Sequence, residues 1–231
     1  MKKFIPILAY HSFAPELFPG TKLAISADLF KKQMSFLKTR NYNVMDLSAC
    51  AKANGRQGLL GKCLALTFDD GYLDNYQCAF PILKELGFPG TFFVSPDFIE
   101  KPGFMTWAML REMAAVPGIE IGSHGLLHKP LADISETEVK ASVVDSKKIL
   151  EDKLGKAINA FSYPSGSFTE GIVEKVKEAG YEYACAASHV HHKKHLNNLF
   201  LLRRVKISHT SSSPLAFAWR LSGFYHIFGR P

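Results

Sequence analysis

The sequence predicts an α/β fold, a barrel of about seven to eight parallel strands wrapped by helices, in a single domain. Three observations predict it. Strand-like and helix-like runs alternate along almost the whole chain, the pattern of a parallel sheet covered by helices. The strand-like runs number about seven or eight, enough to curl a sheet toward closure. The chemistry-bearing residues follow the carboxyl ends of those runs, where barrel active sites form. At 231 residues the chain has the length of an ordinary one-domain barrel.

In order, Phe4–Tyr10 reads as the first strand. Ser26 caps a helix that puts Phe30, Met34 and Leu37 on one face. Asn43–Leu47 reads as a short strand and is followed by a small helix to Asn54. Cys63–Phe68 is an unbroken apolar run, a core strand. Asp74–Leu86 reads as a helix with Asp74 as its N-cap, ended by Gly87 and kinked or divided at Pro81. Gly90–Ser95 is a strand, and Thr106 caps a helix that runs through Ala115. Ile119–Ser123 is a strand. Ser135 and Glu138 form a capping box for a helix that runs to Leu154 and stops before Gly155. Ile158–Tyr163 is a strand, Thr169–Ala179 a helix ended by Gly180, and Glu182–Ala187 a strand. Leu201–Ile207 is the last strand.

Composition limits the function classes. Apolar residues make up 47% and charged residues 21%, as in soluble globular proteins. The net charge of +7 comes from lysines and arginines scattered through helical segments, so it reads as a solvated basic surface. Nucleic acid is therefore not the expected partner. Cys50, Cys63, Cys78 and Cys185 form no C-x-x-C pair and read as free thiols in a reducing compartment. Met1–His11 begins like a signal peptide, but its apolar run is short and no small-residue cleavage site follows. The expected location is cytoplasmic, at most peripheral on the inner face of the membrane.

The chemistry concentrates in two places. Thr67-Phe68-Asp69-Asp70-Gly71-Tyr72 ends the core strand with adjacent carboxylates, which are costly to bury without a partner such as a metal. Ile119–Ser123 leads into His124-Gly125-Leu126-Leu127-His128, two imidazoles at a spacing of four. A carboxylate with two histidines is a metal-ligand set, and the spare carboxylate is a candidate general base. The same set also describes non-haem iron sites.

At these residues the chain resembles the polysaccharide deacetylase family, the carbohydrate esterases with a NodB-type domain. Thr67-Phe68-Asp69-Asp70-Gly71 matches the family's first motif. His124-x-x-x-His128 matches the second, and Tyr163-Pro164-Ser165-Gly166 resembles the third. The motifs stand in the family's order, and the resemblance runs from about residue 4 to about residue 208.

The resemblance implies a distorted, often incomplete (β/α) barrel with residues 1–212 as the catalytic domain. It implies Asp70, His124 and His128 as ligands of Zn2+ or another divalent transition metal. Asp69 would be the base that takes a proton from the attacking water. The Ser165 N–H would face the developing oxyanion, with Tyr163 beside the substrate. His11, after the first strand, resembles an N-terminal histidine that protonates the leaving amine in the exopolysaccharide-modifying branch; His209 is the other candidate. Trp107 is read either as a wall of the sugar groove or as a core residue.

Three departures stand out. Gly125 replaces a Ser or Thr whose hydroxyl braces the metal loop. Ser162 replaces an arginine that orients the base, and Arg203 or Arg204 could supply that charge. The family's fourth motif is not evident near Tyr183–Ser188. Outside the motifs, His189–His195 reads as a solvated insertion. Residues 213–231 read as an aromatic helix packed on the barrel or lying at a membrane interface.

The implied activity is metal-dependent removal of N-acetyl groups from an amino-sugar-containing surface glycan or its lipid-linked precursor. The alternatives are hydrolysis of another linear amide or an O-acetyl ester, and a degenerate glycan-binding domain without turnover.

Overall fold

The computed structural model describes residues 5–16, 22–53, 62–186 and 198–222. Its strands are β1 (Ile7–Tyr10), β2 (Asn43–Val44), β3 (Cys63–Phe68), β4 (Gly90–Val94), β5 (Ile119–Ser123), β6 (Ala160–Ser162), β7 (Tyr183–Ala186), β8 (Leu202–Arg203) and β9 (Val205–Lys206). The helices are α1 (Ala27–Thr39), α2 (Leu47–Ala53), α3 (Phe80–Leu86), α4 (Trp107–Ala115), α5 (Glu136–Lys140), α6 (Ser146–Leu154), α7 (Glu170–Glu178) and α8 (Pro214–Leu221).

The strands pair in the order β8-β7-β6-β5-β4-β3-β1-β9, all parallel, with β2 attached to β3. This is a single α/β domain built on a nearly closed barrel. Its two edges belong to one stretch of chain. Leu202–Arg203 pairs with β7, and Val205–Lys206 pairs with β1. The expected last strand is thus broken at Arg204, and the break lets one segment serve both sides of the seam.

Alternation along the strands sorts the side chains. One set faces the helices: Leu8, Tyr10, Leu66, Phe68, Phe92 and Val94 belong to the large core shared with α1, α3 and α4. The other set fills the barrel. Ile7, Ala65, Phe93, Ala160, Tyr183, Cys185 and Leu202 pack with Leu47, Cys50 and Ala51 of α2, which closes one end. At the other end the same inward rows finish in polar groups, so the interior changes from apolar plug to site along each strand. Gly122 is needed in this packing, because a Cβ there would lie 2.6 Å from the Phe93 ring.

Most caps form where the sequence places them. Ser26, Thr106, Ser135 and Thr169 each accept a backbone N–H at a helix start, and Gly87 and Gly155 end helices in the left-handed conformation. The expected helix from Asp74 is a π-helical turn, Asn75–Ala79, followed by α3. Pro81 then falls in the first turn of α3, where its missing N–H costs little. A second π-helical turn, Ala141–Asp145, interrupts the long helix expected after Ser135.

Of the expected C-terminal aromatic helix, the described part is α8. In α8, Phe217 and Leu221 are buried, and the Phe217 ring meets Phe36 of α1 edge-on at 5.9 Å. Leu215 and Trp219 remain exposed. No described helix is long and apolar enough to cross a membrane. The remainder of the aromatic segment, 223–231, and the histidine-rich stretch His189–His195 lie outside the described residues.

Candidate metal and catalytic site

Asp69 and Asp70 follow β3, where the Asp69 N–H still donates to the Tyr10 carbonyl at 2.9 Å. The chain then turns sharply, with Asp70 and Gly71 both at φ +76°. The turn is braced from outside: the Met105 N–H donates to Gly71 O at 3.0 Å, and the Tyr72 and Phe104 rings stack at 5.3 Å. Among the described residues, five non-glycine residues have positive φ, and Asp70, His128 and Ser165 are three of them. Backbone strain therefore gathers at the predicted site, as it does where the surroundings over-determine a functional geometry.

His124 extends β5, its N–H donating to Val94 O at 2.9 Å. Its Nδ1 lies 2.7 Å from Ser162 O, which assigns the proton to Nδ1 and leaves the Nε2 lone pair facing the cleft. His128 follows on a loop, half-buried, its ring 4.8 Å from that of His124. Nε2 of His128 stands 3.1 Å and Nε2 of His124 3.5 Å from Asp70 Oδ1. The three ligand atoms lie within 4.8 Å of one another, and Asp70 Oδ1 is buried without a hydrogen bond of proper geometry among the described residues. Two imidazole nitrogens and an orphaned carboxylate oxygen converging on one point fit a divalent cation. Burial alone would raise the Asp70 carboxyl, but the two imidazoles hold it well below the usual carboxylate range.

The loop brace absent at Gly125 comes from elsewhere. Ser142, in the π-helical turn between α5 and α6, accepts the Leu126 N–H at 3.1 Å, and Ser123 Oγ accepts the Gly125 N–H at 3.2 Å. A Cβ at position 125 would lie 2.7 Å from Ser142 Oγ, so the hydroxyl occupies the space that a residue 125 side chain would need.

The arginine absent at Ser162 is likewise replaced. Arg204, in the seam between β8 and β9, donates to both oxygens of Asp69, at 2.6 and 2.7 Å. It also donates to Ser162 Oγ at 2.9 Å and to Thr67 Oγ1 at 3.2 Å. Burial pushes the Asp69 carboxyl up, but the guanidinium and then His124 outweigh it and hold the carboxyl below its ordinary value. Of the two arginines expected to supply this charge, it is Arg204; Arg203 does not pair with Asp69.

Asp69 Oδ2 lies 3.9 Å from His124 Nε2 and 3.8 Å from His11 Nε2. One cleft is lined by His11, Asp69, His124, His128, Tyr163, Ser165, Arg204 and Lys206, among others. Ser165 sits left-handed (φ 55°, ψ 9°) in the turn Pro164–Gly166. The Tyr163 ring packs against Phe161 and Phe168, and its buried hydroxyl has no partner among the described residues.

Two expected site residues lie elsewhere. Trp107 does not line this cleft: it is half-buried at the start of α4 against the helix-side core, with Lys153 Nζ 5.7 Å from its ring. His209 is exposed on a 3-10 turn, its Nδ1 3.4 Å from Lys22 O, and takes no part in the cleft. Asp74, expected as an N-cap, caps no helix; its carboxylate holds the loop after β1. Lys206 was not foreseen. It lies one inward step beyond Arg204 and forms no ion pair among the described residues, and a lone lysine in a strand gives no sequence signal.

A (β/α) barrel thus gathers Asp-Asp, His-x-x-x-His and an arginine from its closing strand around one cleft. The model of the family "Polysaccharide deacetylase" matches residues 57–184, and the chain belongs to that family. YxkH of Bacillus subtilis (strain 168), a polysaccharide deacetylase by name, is 31% identical over 77% of this chain and 62% of its own length. The poly-beta-1,6-N-acetyl-D-glucosamine N-deacetylase of Escherichia coli (strain K12) is 25% identical over 76% of this chain. The chain spans only 32% of that relative. Among solved structures, the Streptococcus pyogenes deacetylase PplD in complex with acetate superposes with a TM-score of 0.80. It is 26% identical and covers 94% of this chain and 97% of that one.

Proposed function

We propose that this protein is a metal-dependent N-deacetylase of a glycan containing N-acetylated amino sugars. The observation that carries the reading is the position of Asp69: ionised against Arg204, it stands 3.9 Å from Nε2 of His124 in the convergent Asp70–His124–His128 set. Zn2+ or another divalent transition ion on those three residues would act as a Lewis acid, lowering the pKa of water and polarising the acetamide oxygen.

The chain's own groups do the rest. Asp69 accepts the proton of the water that adds to the carbonyl carbon. The Ser165 N–H donates to the oxygen that becomes negative in the tetrahedral intermediate. The C–N bond then breaks as His11 protonates the nitrogen, giving acetate and a free amine. Tyr163 lines the substrate's side of the cleft. The name of the Escherichia coli relative favours poly-N-acetylglucosamine as the glycan class. A binding domain without turnover is disfavoured, because Arg204 and Ser142 occupy the roles left open at Ser162 and Gly125.

The test is Asp69→Asn. The variant is expected to retain the ion, measured by elemental analysis, and to lose acetate release from β-linked N-acetylglucosamine oligomers by about 10²–10⁴-fold. Undiminished release would sink the assignment.

A further inference from the structure

The loop that carries His11 is tied down by residues of the segment that follows the Asp69–Asp70 turn. Ser12 Oγ donates to Asp74 Oδ2 at 2.6 Å, and the Phe13 N–H donates to the same oxygen at 2.9 Å. Asn75 Nδ2 donates to the His11 carbonyl at 2.7 Å and to Asp74 Oδ1 at 2.7 Å. Ser12 Oγ in turn accepts the Ala14 N–H at 3.1 Å. Residues 11, 12 and 13 are thus each bonded to Asp74 or Asn75. All four partners Ser12, Phe13, Asp74 and Asn75 are buried.

A buried carboxylate is costly, and among the described residues this one is stabilised by neutral donors, with no lysine or arginine paired to it. It caps no helix, although the sequence places it where a cap would stand. Its hydrogen bonds go to the loop instead. The His11 ring needs such help. Its Nδ1 is buried with no hydrogen-bond partner among the described residues, and its Nε2 stands 3.8 Å from Asp69 Oδ2. Ring contacts therefore do not fix the imidazole; the backbone beneath it does.

We propose that Asp74 and Asn75 are positioning residues that hold the His11 imidazole in the cleft. The chain segment that presents the base Asp69 then also sets the place of the acid. This rests on the deacetylase reading, in which His11 protonates the departing nitrogen.

Two measurements on the full-length, zinc-loaded protein test the clamp. The first compares acetate release from an N-acetylglucosamine oligomer with hydrolysis of 4-nitrophenyl acetate, whose phenolate leaves without a proton. In Asp74→Asn and in Asn75→Ala, amide cleavage should fall roughly 10–100-fold, part of what a positioned proton donor supplies, while ester cleavage changes by less than about threefold. In a His11→Ala background neither substitution should lower amide cleavage further, because coupled residues are not additive. Equal losses on both substrates, or additive losses, would overturn the proposal. The second follows the imidazole resonances of His11 by NMR. They should shift and narrow in both variants while those of His124 stay in place, and an unchanged His11 ring would also overturn it. Lack of any acetate release by the unaltered protein counts against the deacetylase reading alone, and the ring resonances still decide the clamp.

Discussion

Arg204 holds Asp69 with both prongs of its guanidinium, and it does so from the break in the strand that closes the barrel. The fork fixes the plane of the carboxylate, which a point charge does not. Arg204→Lys should therefore fold but lose at least about tenfold in turnover, within the range set by misaligning a proton-transfer group. Arg204→Met leaves a buried charge unpaired and should cost about 3–5 kcal/mol in urea unfolding. The pH dependence has a defined sign. Asp69 is lowered from 3.8 in the folded protein, so the stability from its ionised form is complete above that value and is lost as pH falls through the lowered one. Without the guanidinium, only the neighbouring imidazoles oppose burial, so the Asp69 carboxyl should rise and the acid limb of the rate profile should move to higher pH.

Gly125 and Ser142 form a second exchange of roles. Position 125 sits at φ +72°, and a Cβ there would meet Ser142 Oγ at 2.7 Å and Pro164 Cγ at 3.2 Å, which leaves no room for the hydroxyl residue found in related motifs. Gly125→Ser should destabilise by about 1–3 kcal/mol through overpacking and strain. Ser142→Ala should cost about 1–3 kcal/mol, because the Leu126 N–H loses its acceptor. Combined with Ser142→Gly, Gly125→Ser should recover part of its loss, a coupling of about 0.5–3 kcal/mol in a double-mutant cycle by urea unfolding. Strict additivity would show that the two positions do not share this space.

These two exchanges show where sequence reasoning reaches and where it stops. Local signals placed the helix caps, the core strands and the Asp-Asp and His-x-x-x-His runs, because spacing within a short segment decides them. The arginine on Asp69 comes from 135 residues away, so only the barrel's closure selects Arg204 over Arg203. The bond between Asp74 and the loop after β1 spans 62 residues, and local pattern gave Asp74 the nearer role of a cap. Residue type leaves Trp107 open to groove or core, and its place at the start of α4 decides for the helix layer.

Glu120 tests the opposite end of the barrel. It is accepted into the interior by hydrogen bonds from Thr91 Oγ1, at 2.8 Å, and from the Tyr183 hydroxyl. Burial raises its carboxyl above the ordinary 4.5, and the two hydroxyls only partly offset this. A raised carboxyl favours the folded state fully below 4.5 and loses that contribution as pH rises through its folded value. Glu120→Gln should therefore unfold at a higher temperature than the parent at pH 8 and show no such advantage near pH 4. A stability gain that does not change with pH would mean that Glu120 is not strained by its charge.

Ion removal gives the most direct reading of the proposed centre. Chelation should abolish acetate release, and restored zinc should return it. Zinc at a hundred times its Kd should stabilise the chain by about 2.7 kcal/mol, worth about 2–4 °C in Tm per kcal/mol. The shift should vanish in Asp70→Ala and His128→Ala. Burial would lower the His128 imidazole, but the Asp70 carboxylate 3.1 Å away raises it above 6.5. The His128–Asp70 pair thus stabilises the ion-free protein below pH 6.5 and stops doing so as pH rises through the raised value. Zinc takes the imidazole in its neutral form, so binding at or below pH 6.5 should release a proton to the buffer and tighten as pH rises. Calorimetric titrations in buffers of different ionisation heat measure the release directly, and a binding heat independent of the buffer would show that His128 is not a ligand.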